Sequence, residues 1–255
     1  MSRAAAILVS AAGVEAEQTR GGALLRTLVE TRPGDAGLVR RHAELAAGTG
    51  MSGRASGGGE LWFVLEGTGM LAVPGQPALR LLPDRGVLIG PGSSYDVLAG
   101  DAKETLRLDM VSLPAPAVGA GASDLHADAT VALCRDFADC EIETTGDRQF
   151  RVLFGPGMDC AVATQFVGEI PPGRAPDHSH PYDEVVLVLR GEGIAHIGGA
   201  GHAIATGTCA HLPPGVVHCL ENTGSATMRV LGVFHPANSP AAKLPVTTGT
   251  ESQAR

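Results

Sequence analysis

The sequence lacks the features that mark membrane and nucleic-acid-binding proteins. No apolar run reaches the roughly 18 residues of a membrane-spanning helix, so no membrane partner is expected. Lys and Arg total 19 against 27 Asp and Glu, which gives a net charge of −8, and no stretch is rich in Lys or Arg. Such a chain offers phosphate backbones no basic surface, and nucleic acid is excluded as an expected partner.

The cysteines and the N-terminus both bear on the compartment. The five cysteines are odd in number and contain no C-x-x-C pair: Cys134, Cys140, Cys160, Cys209 and Cys219. This set is typical of reduced, mostly buried thiols, so a cytoplasmic location is expected. Residues 4–13 are apolar after Arg3, but one basic residue and an alanine-rich core make a poor signal peptide. An ordinary first strand is the preferred interpretation.

Charged residues (18%) and aromatic residues (4%) are scarce, whereas glycine (35) and proline (17) are abundant. A hydrophobic content of 44% excludes general disorder and allows a sizeable core. Glycine and proline both destabilise the interior of a helix, so this composition favours many short strands joined by tight turns over a helical bundle. The 255 residues are enough for one large domain or two small ones.

An internal repeat divides the chain into two related halves. Residues 60–69 align with residues 184–193 at a constant offset of 124, and residues 90–92 align with residues 213–215 at an offset of 123. A single one-residue gap therefore aligns the halves over about 40 residues, which indicates duplication of one folding unit.

Each half consists of short Val-, Ile- and Leu-rich runs separated by glycine- and proline-containing turns, which predicts an all-β fold of sandwich or jelly-roll type. We predict a first barrel over residues 1–113 and a second over residues 148–240. Between them, residues 114–147 form the predicted linker, with a possible short helix over residues 125–137. The pattern fades near the C-terminus, and residues 241–255 are predicted to be a flexible tail.

A candidate metal site lies in the second half. His178 and His180 are spaced i, i+2, which places them on one face of an extended chain, and Glu184 follows at the start of a strand-like run. A Pro-x-Gly turn precedes a third imidazole at His218. Three neutral imidazoles and one carboxylate suit one divalent first-row metal ion, with Fe, Mn, Ni and Zn left open. In an octahedral site, four protein ligands would leave two cis positions open, as a catalytic metal requires.

The residues from His178 to Asn222 follow the pattern H-x-H-x3-E-x6-G and then G-x5-P-x-G-x2-H-x3-N. This resembles the two-part motif of the cupin superfamily, and the duplication makes the chain similar to a bicupin. One departure is Gly173, which precedes the first histidine by one residue fewer than in the family. The resemblance implies two tandem cupin-type antiparallel jelly-roll β-barrels, and it implies four metal ligands: His178, His180, Glu184 and His218.

The first half departs from the motif at the ligand positions. The repeat offset places Arg54, Ser56 and Tyr95 where the second half has its three histidines, and only Glu60 matches a ligand type. We therefore expect a degenerate first barrel without metal ligands that serves packing or dimerisation. The alternative is a metal-free pocket in which Arg54 binds a substrate anion.

Four further residues of the second half lie at or beside positions of this motif. Tyr182 and Asp183 lie between two of the ligands and are candidate catalytic residues that act as acid, base or outer-shell partner, although they could instead only shape the loop. Asn222 is expected to brace a turn. Cys219 adjoins His218, but strand alternation turns its thiol away from the face that His218 uses.

The leading functional hypothesis is a metal-dependent oxidoreductase, most plausibly a dioxygenase, that acts on a small oxygen-bearing substrate. A second hypothesis is a non-redox isomerase, decarboxylase, lyase or polyketide-cyclase-like enzyme. A third is a binding module whose metal has no catalytic role. A homodimer is expected, since an exposed barrel edge can pair across a symmetry axis.

Overall fold

The computed structural model describes residues 6–31, 37–100, 104–115, 132–242 and 244–245. Within these residues there is no α-helix, and two 3-10 turns at Ala11–Gly13 and Phe137–Asp139 are the helical elements. Consistently, this part of the chain contains no helix of the length and apolarity that crossing a bilayer requires.

Twenty-four strands make up the described structure. Those of the first half are β1 (Ile7–Ser10), β2 (Glu17–Gln18), β3 (Leu24–Glu30), β4 (Val39–Leu45), β5 (Gly50–Arg54), β6 (Glu60–Glu66), β7 (Gly69–Ala72), β8 (Leu79–Leu81), β9 (Arg85–Ile89), β10 (Ser94–Ala99) and β11 (Leu106–Ser112). Those of the second half are β12 (Ala132–Asp136), β13 (Glu143–Thr145), β14 (Arg148–Phe154), β15 (Thr164–Ile170), β16 (Gly173–Arg174), β17 (His178–Ser179), β18 (Asp183–Arg190), β19 (Glu192–Ile197), β20 (Ala200–Ala205), β21 (Thr208–Leu212), β22 (His218–Asn222), β23 (Met228–His235) and β24 (Leu244–Pro245).

Two barrels are built from these strands, each from one large and one small sheet. The first combines the seven-stranded sheet β12-β9-β6-β11-β4-β3-β2 with the four-stranded sheet β5-β10-β7-β8. The second combines β1-β21-β18-β23-β15-β14-β13 with a six-stranded sheet in which β20-β19-β22-β17-β24 are joined by β16 on β22. The named strands pair antiparallel throughout, and the all-β prediction of two tandem jelly-roll barrels is confirmed.

The two barrels exchange edge strands. The first strand of the chain, β1, pairs with β21 of the second barrel, with Ile7 opposite His211. In return, β12 pairs with β9 of the first barrel. The helix predicted over residues 125–137 is therefore wrong for Ala132–Asp136, because pairing with an existing sheet edge fixes these residues as a strand; residues 116–131 lie outside the described residues.

The C-terminal segment is also more ordered than predicted. Leu244 and Pro245 form β24, which pairs with Ser179 and His178 of β17. The predicted flexible tail is thus wrong at these two positions, because the backbone there pairs with an edge of the smaller sheet. Residues 246–255 lie outside the described part of the chain.

Burial explains why buried and exposed residues alternate along some strands, whereas other strands are apolar throughout. Along β10 every second residue is buried, since one face packs inside the first barrel and the other faces solvent. Val185–Val188 of β18 are all buried, because the odd positions pack against the first barrel and the even positions face the interior of the second. Continuous apolar runs are expected for strands covered on both faces.

The interiors of the two barrels differ. One continuous apolar cluster fills the first barrel, with Trp62 and Tyr95 in edge-to-face contact at 4.8 Å. The second barrel has two separate clusters, one aliphatic around Val188 and Met228 and one aromatic around Phe166. The candidate metal-ligand residues line the cavity between these clusters.

The cysteines behave as predicted. All five are free, four are buried, and Cys134 is partly exposed. Burial raises the pKa of the Cys209 thiol to about 11, so that this thiol stays protonated at neutral pH.

Candidate metal centre

Three histidines and one glutamate converge inside the second barrel. His178 on β17 lies opposite His218 on β22, and His180 follows two residues after His178, so that alternation brings all three rings to one side. Their ligating nitrogens lie within 4.8 Å of one another. Glu184 enters from the adjacent β18, with Oε2 3.3 Å from His218 Nε2 and 3.6 Å from His180 Nε2. Three of the four side chains are buried, and His178 is partly exposed.

A backbone carbonyl orients each imidazole. His178 Nδ1 lies 3.1 Å from Pro176 O, and His218 Nδ1 lies 2.9 Å from Val216 O. His180 Nδ1 lies 3.1 Å from Ala242 O, in the C-terminal segment. Because a carbonyl only accepts, each Nδ1 must carry the proton, which leaves the Nε2 lone pair for a metal ion.

Glu184 provides the test of whether a cation fits here. Its Oε2 is buried and accepts no hydrogen bond from the described residues. It faces Nε2 lone pairs, and such an arrangement of acceptors is unfavourable unless a cation lies between them. Burial alone would raise the pKa of this carboxyl, but positive charge on the neighbouring imidazoles, above all that of His218, would hold the pKa below its ordinary value, so positive charge at the place a cation would occupy stabilises the carboxylate. The residues therefore fit one divalent metal ion.

The wall of the centre is apolar. The cavity in front of the four ligands has a volume of about 80 Å³. Phe150, Phe166 and Phe234 line one side, and aliphatic side chains, among them Ile170 and Val230, line the other. Such a space admits a small molecule and surrounds it mostly with apolar side chains.

Tyr182 packs beside the centre without lining the cavity. Its ring stacks on that of His180 at 4.8 Å and 15°, and its hydroxyl lies 3.0 Å from His180 Nδ1 and donates to Ala242 O at 3.2 Å. Burial and the nearby Glu184 carboxylate raise the pKa of the phenol. These contacts orient an imidazole and hold the C-terminal segment.

Asp183 points away from the cavity. Its Oδ1 lies 2.8 Å from His211 Nε2, and its neighbour Val185 on the same face of β18 packs in the cluster between the barrels. Residues next to each other on a strand face opposite ways, so Asp183 and Glu184 serve different sides of the sheet. The structure does not bring Asp183 to the metal ligands.

The other two residues singled out in the second barrel lie as predicted. Asn222 donates through Nδ2 to the carbonyls of Ile170 and Ala226 and accepts from Gly224 N, which braces the turn that follows β22. Cys219 is buried on the opposite face of β22 from His218, with its sulfur 3.4 Å from Arg174 Nε.

In the first barrel the equivalent positions are either exposed or engaged in hydrogen bonds within the barrel. Arg54 is exposed on β5, and Ser56 Oγ donates to the carbonyls of Gly59 and Leu113. Glu60 is buried; it accepts from Trp62 Nε1 at 2.7 Å and from Ser112 Oγ at 3.2 Å. Burial, the largest effect on it, raises the pKa of Glu60, and both carboxyl oxygens already have partners.

Two contributors to the site were missed in the sequence. Arg148 on β14 lines the cavity. The only hint in the sequence is that Arg148 lies two residues before Phe150, which also faces inward, and residues two apart on a strand share a face. Ala242 contributes through its backbone carbonyl, for which a sequence carries no signal.

The comparisons with known proteins agree with this geometry. Residues 166–234 match the family model of the cupin domain. A search of curated proteins finds no match. The chain as a whole has the fold of a two-domain cupin.

Several solved structures share this fold. Ylba from E. coli is 11% identical with a TM-score of 0.74, and the match covers 92% of each chain. A variant of Bacillus subtilis oxalate decarboxylase is 12% identical with a TM-score of 0.72, over 94% of this chain and 79% of that chain. Vicilin from hazelnut is 10% identical with a TM-score of 0.70, over 90% of this chain and 85% of the other.

Proposed function

We propose that this protein is a metal-dependent enzyme that acts on a small oxygen-bearing molecule. One divalent ion per chain would be held by His178, His180, Glu184 and His218. The observation that carries the proposal is the buried Glu184 Oε2, which has no hydrogen-bond partner among the described residues and faces imidazole nitrogens oriented by backbone carbonyls.

The chain's own part in the chemistry is to bind, orient and exclude water. When bound, the metal would supply Lewis acidity or electron transfer to substrate oxygens. The aromatic and aliphatic walls orient a small substrate by shape and lower the local polarity, which strengthens electrostatic interactions within the cavity.

Among reactions, a dioxygenase is supported best. Apart from the four ligands, the only charged side chain among the described residues that line the cavity is Arg148. An isomerase, or a lyase other than a decarboxylase, needs a general acid or base within reach of the substrate, whereas Tyr182 and Asp183 do not line the cavity. Oxygenation relies on the metal and on an apolar wall, and both fit this site.

Decarboxylation is the second candidate. One solved structure with the same fold is an oxalate decarboxylase, although at 12% identity that likeness concerns the fold alone. The specific observation that favours it is Arg148, a cation in the cavity that can hold a carboxylate. Such a reaction needs no amino-acid base to begin, so the absence of an acid–base pair counts less against it.

Elemental analysis with an oxygen electrode tests the proposal. We expect about one equivalent of divalent metal per chain, and substrate-dependent oxygen uptake would support the dioxygenase. Anaerobic turnover with release of carbon dioxide would instead support the decarboxylase. Protein with no metal even after reconstitution would overturn the proposed function. Metal retention without turnover of any small acid or diol tested would favour a binding module.

The homodimer, testable by analytical ultracentrifugation, and the cytoplasmic location remain predictions.

A further inference from the structure

Arg148 lies in the same cavity as the metal ligands. It begins β14, its side chain is partly buried, and its Nη2 donates to Leu220 O at 2.6 Å. Leu220 follows His218 by two residues on β22, which is about 6.6 Å along a strand. The guanidinium is therefore tethered a short distance from the metal ligands, on one wall of the cavity.

Although the neighbouring Asp147 carboxylate acts on it electrostatically, Arg148 has no direct ion-pair partner among the described residues. Several other arginines do: Arg26 pairs with Glu44, Arg85 with Asp136, Arg107 with Glu66, and Arg174 with Asp177. Of its five N–H donors, one has a hydrogen-bond acceptor in the described structure. The other N–H groups of Arg148 are not among the buried, unpartnered polar atoms of the described residues, so they remain accessible to an anion that enters the cavity.

Resting on the proposed function, we propose that the substrate is a short carboxylic acid whose carboxylate binds Arg148 while oxygen atoms at its other end reach the metal centre. The planar guanidinium matches a carboxylate in a two-hydrogen-bond fork. Because Leu220 and His218 are separated along β22, the carboxylate at Arg148 and the oxygen atoms at the metal centre lie at different points. Arg148 would therefore recognise a second group of the substrate, in addition to its metal-binding oxygens. A carboxylate suits the apolar walls better than a phosphate dianion, which loses more hydration energy on burial.

Two probes isolate this second carboxylate. Malate and lactate share a 2-hydroxy acid end that can chelate a metal, and only malate carries a further carboxylate. We expect calorimetry on the manganese-loaded protein to show malate binding at least about tenfold more tightly than lactate, in line with a charge-assisted hydrogen bond. In Arg148→Gln the malate preference should fall to about one while lactate affinity stays the same. Arg148→Lys should retain part of the preference.

The controls separate the two proposals. Arg190→Gln makes the same charge change at an exposed arginine that does not line the cavity, and its malate preference should stay at the wild-type value. An unchanged preference in Arg148→Gln, with metal content and thermal unfolding as in wild type, would overturn the role of Arg148 and leave the proposed function intact. Tighter binding of phosphoglycolate than of malate would overturn the carboxylate in favour of a phosphate. Failure of the wild type to load metal would instead overturn the proposed function.

Discussion

Arg40 of the first barrel and Asp109 form a fully buried ion pair that reaches into the second barrel. Arg40 Nε and Nη2 donate to the two carboxylate oxygens at 2.8 and 2.9 Å, and both side chains have no exposed surface. The guanidinium also donates to Val185 O at 3.0 Å and Leu231 O at 3.3 Å. Val185 follows the candidate metal ligand Glu184, so this pair braces the strand that carries Glu184 from the other barrel.

Removal of the Asp109 carboxylate from this pair should lower the stability of the protein. We expect Asp109→Ala to lower the free energy of unfolding by about 3–5 kcal/mol, because it leaves a buried guanidinium uncompensated. Urea denaturation followed by circular dichroism measures this. The matched control is Glu66→Ala, which removes the partner of Arg107 from an exposed pair and should cost at most about 1 kcal/mol. Equal losses in the two variants would show that burial does not decide the effect.

The same carboxylate should make stability depend on pH. Burial alone would raise the pKa of Asp109, but the guanidinium of Arg40 and the nearby His42 outweigh it and lower the pKa. A lowered folded pKa contributes stability that is present above the unfolded value of about 3.9 and is lost as pH falls below it. We therefore expect the stability advantage of wild type over Asp109→Asn to shrink in metal-free protein from about pH 5 to about pH 3. A constant difference across that range would contradict this assignment.

Metal binding should depend on the second barrel alone. We expect His180→Ala to lose the stoichiometric metal, because one of four ligands and its contacts to Ala242 and Tyr182 disappear. Arg54→Ala, which changes the first-barrel counterpart of His178, should keep about one equivalent. Elemental analysis after dialysis against a weak chelator measures both. Full occupancy in the first variant, or a lost equivalent in the second, would show that the metal lies elsewhere.

Tyr182 should contribute orientation rather than catalysis. In Tyr182→Phe the ring still packs beside His180, and only the hydroxyl contacts to His180 Nδ1 and Ala242 O are lost. We expect a stability loss of about 1 kcal/mol and a kcat within a few-fold of wild type, measured with whichever assay the oxygen electrode or carbon dioxide release establishes. A drop of about a hundredfold at full metal content would restore Tyr182 as a catalytic residue.

The candidate ligands could be identified from the sequence because their spacing is a property of extended chain. The i, i+2 histidines and the following carboxylate need only local strand geometry to share a face. The same rule places Asp183 on the opposite face of the strand from Glu184. The finding that Asp183 does not face the cavity could therefore also have been predicted from the sequence. The outward thiol of Cys219 follows from alternation as well.

Long-range contacts could not be predicted in this way. The carbonyl of Ala242 reaches His180 across 62 positions of sequence, and every residue type offers such a carbonyl. Arg148 looks like an ordinary surface arginine until β14 is placed against β22. The strand at Ala132–Asp136 has a composition that fits helix or strand, and pairing with β9 in the other barrel decides between them.

Because the barrels exchange edge strands, we expect that the chain cannot be divided after residue 113 into two fragments that each fold as a complete barrel. A fragment that begins after residue 113 would lack Ile7–Ser10, so that β21 would expose an unpaired edge close to the ligand-bearing strand β18. A fragment that ends there would lack Ala132–Asp136 and expose β9. Each barrel therefore depends on the other half of the chain for one strand of its larger sheet.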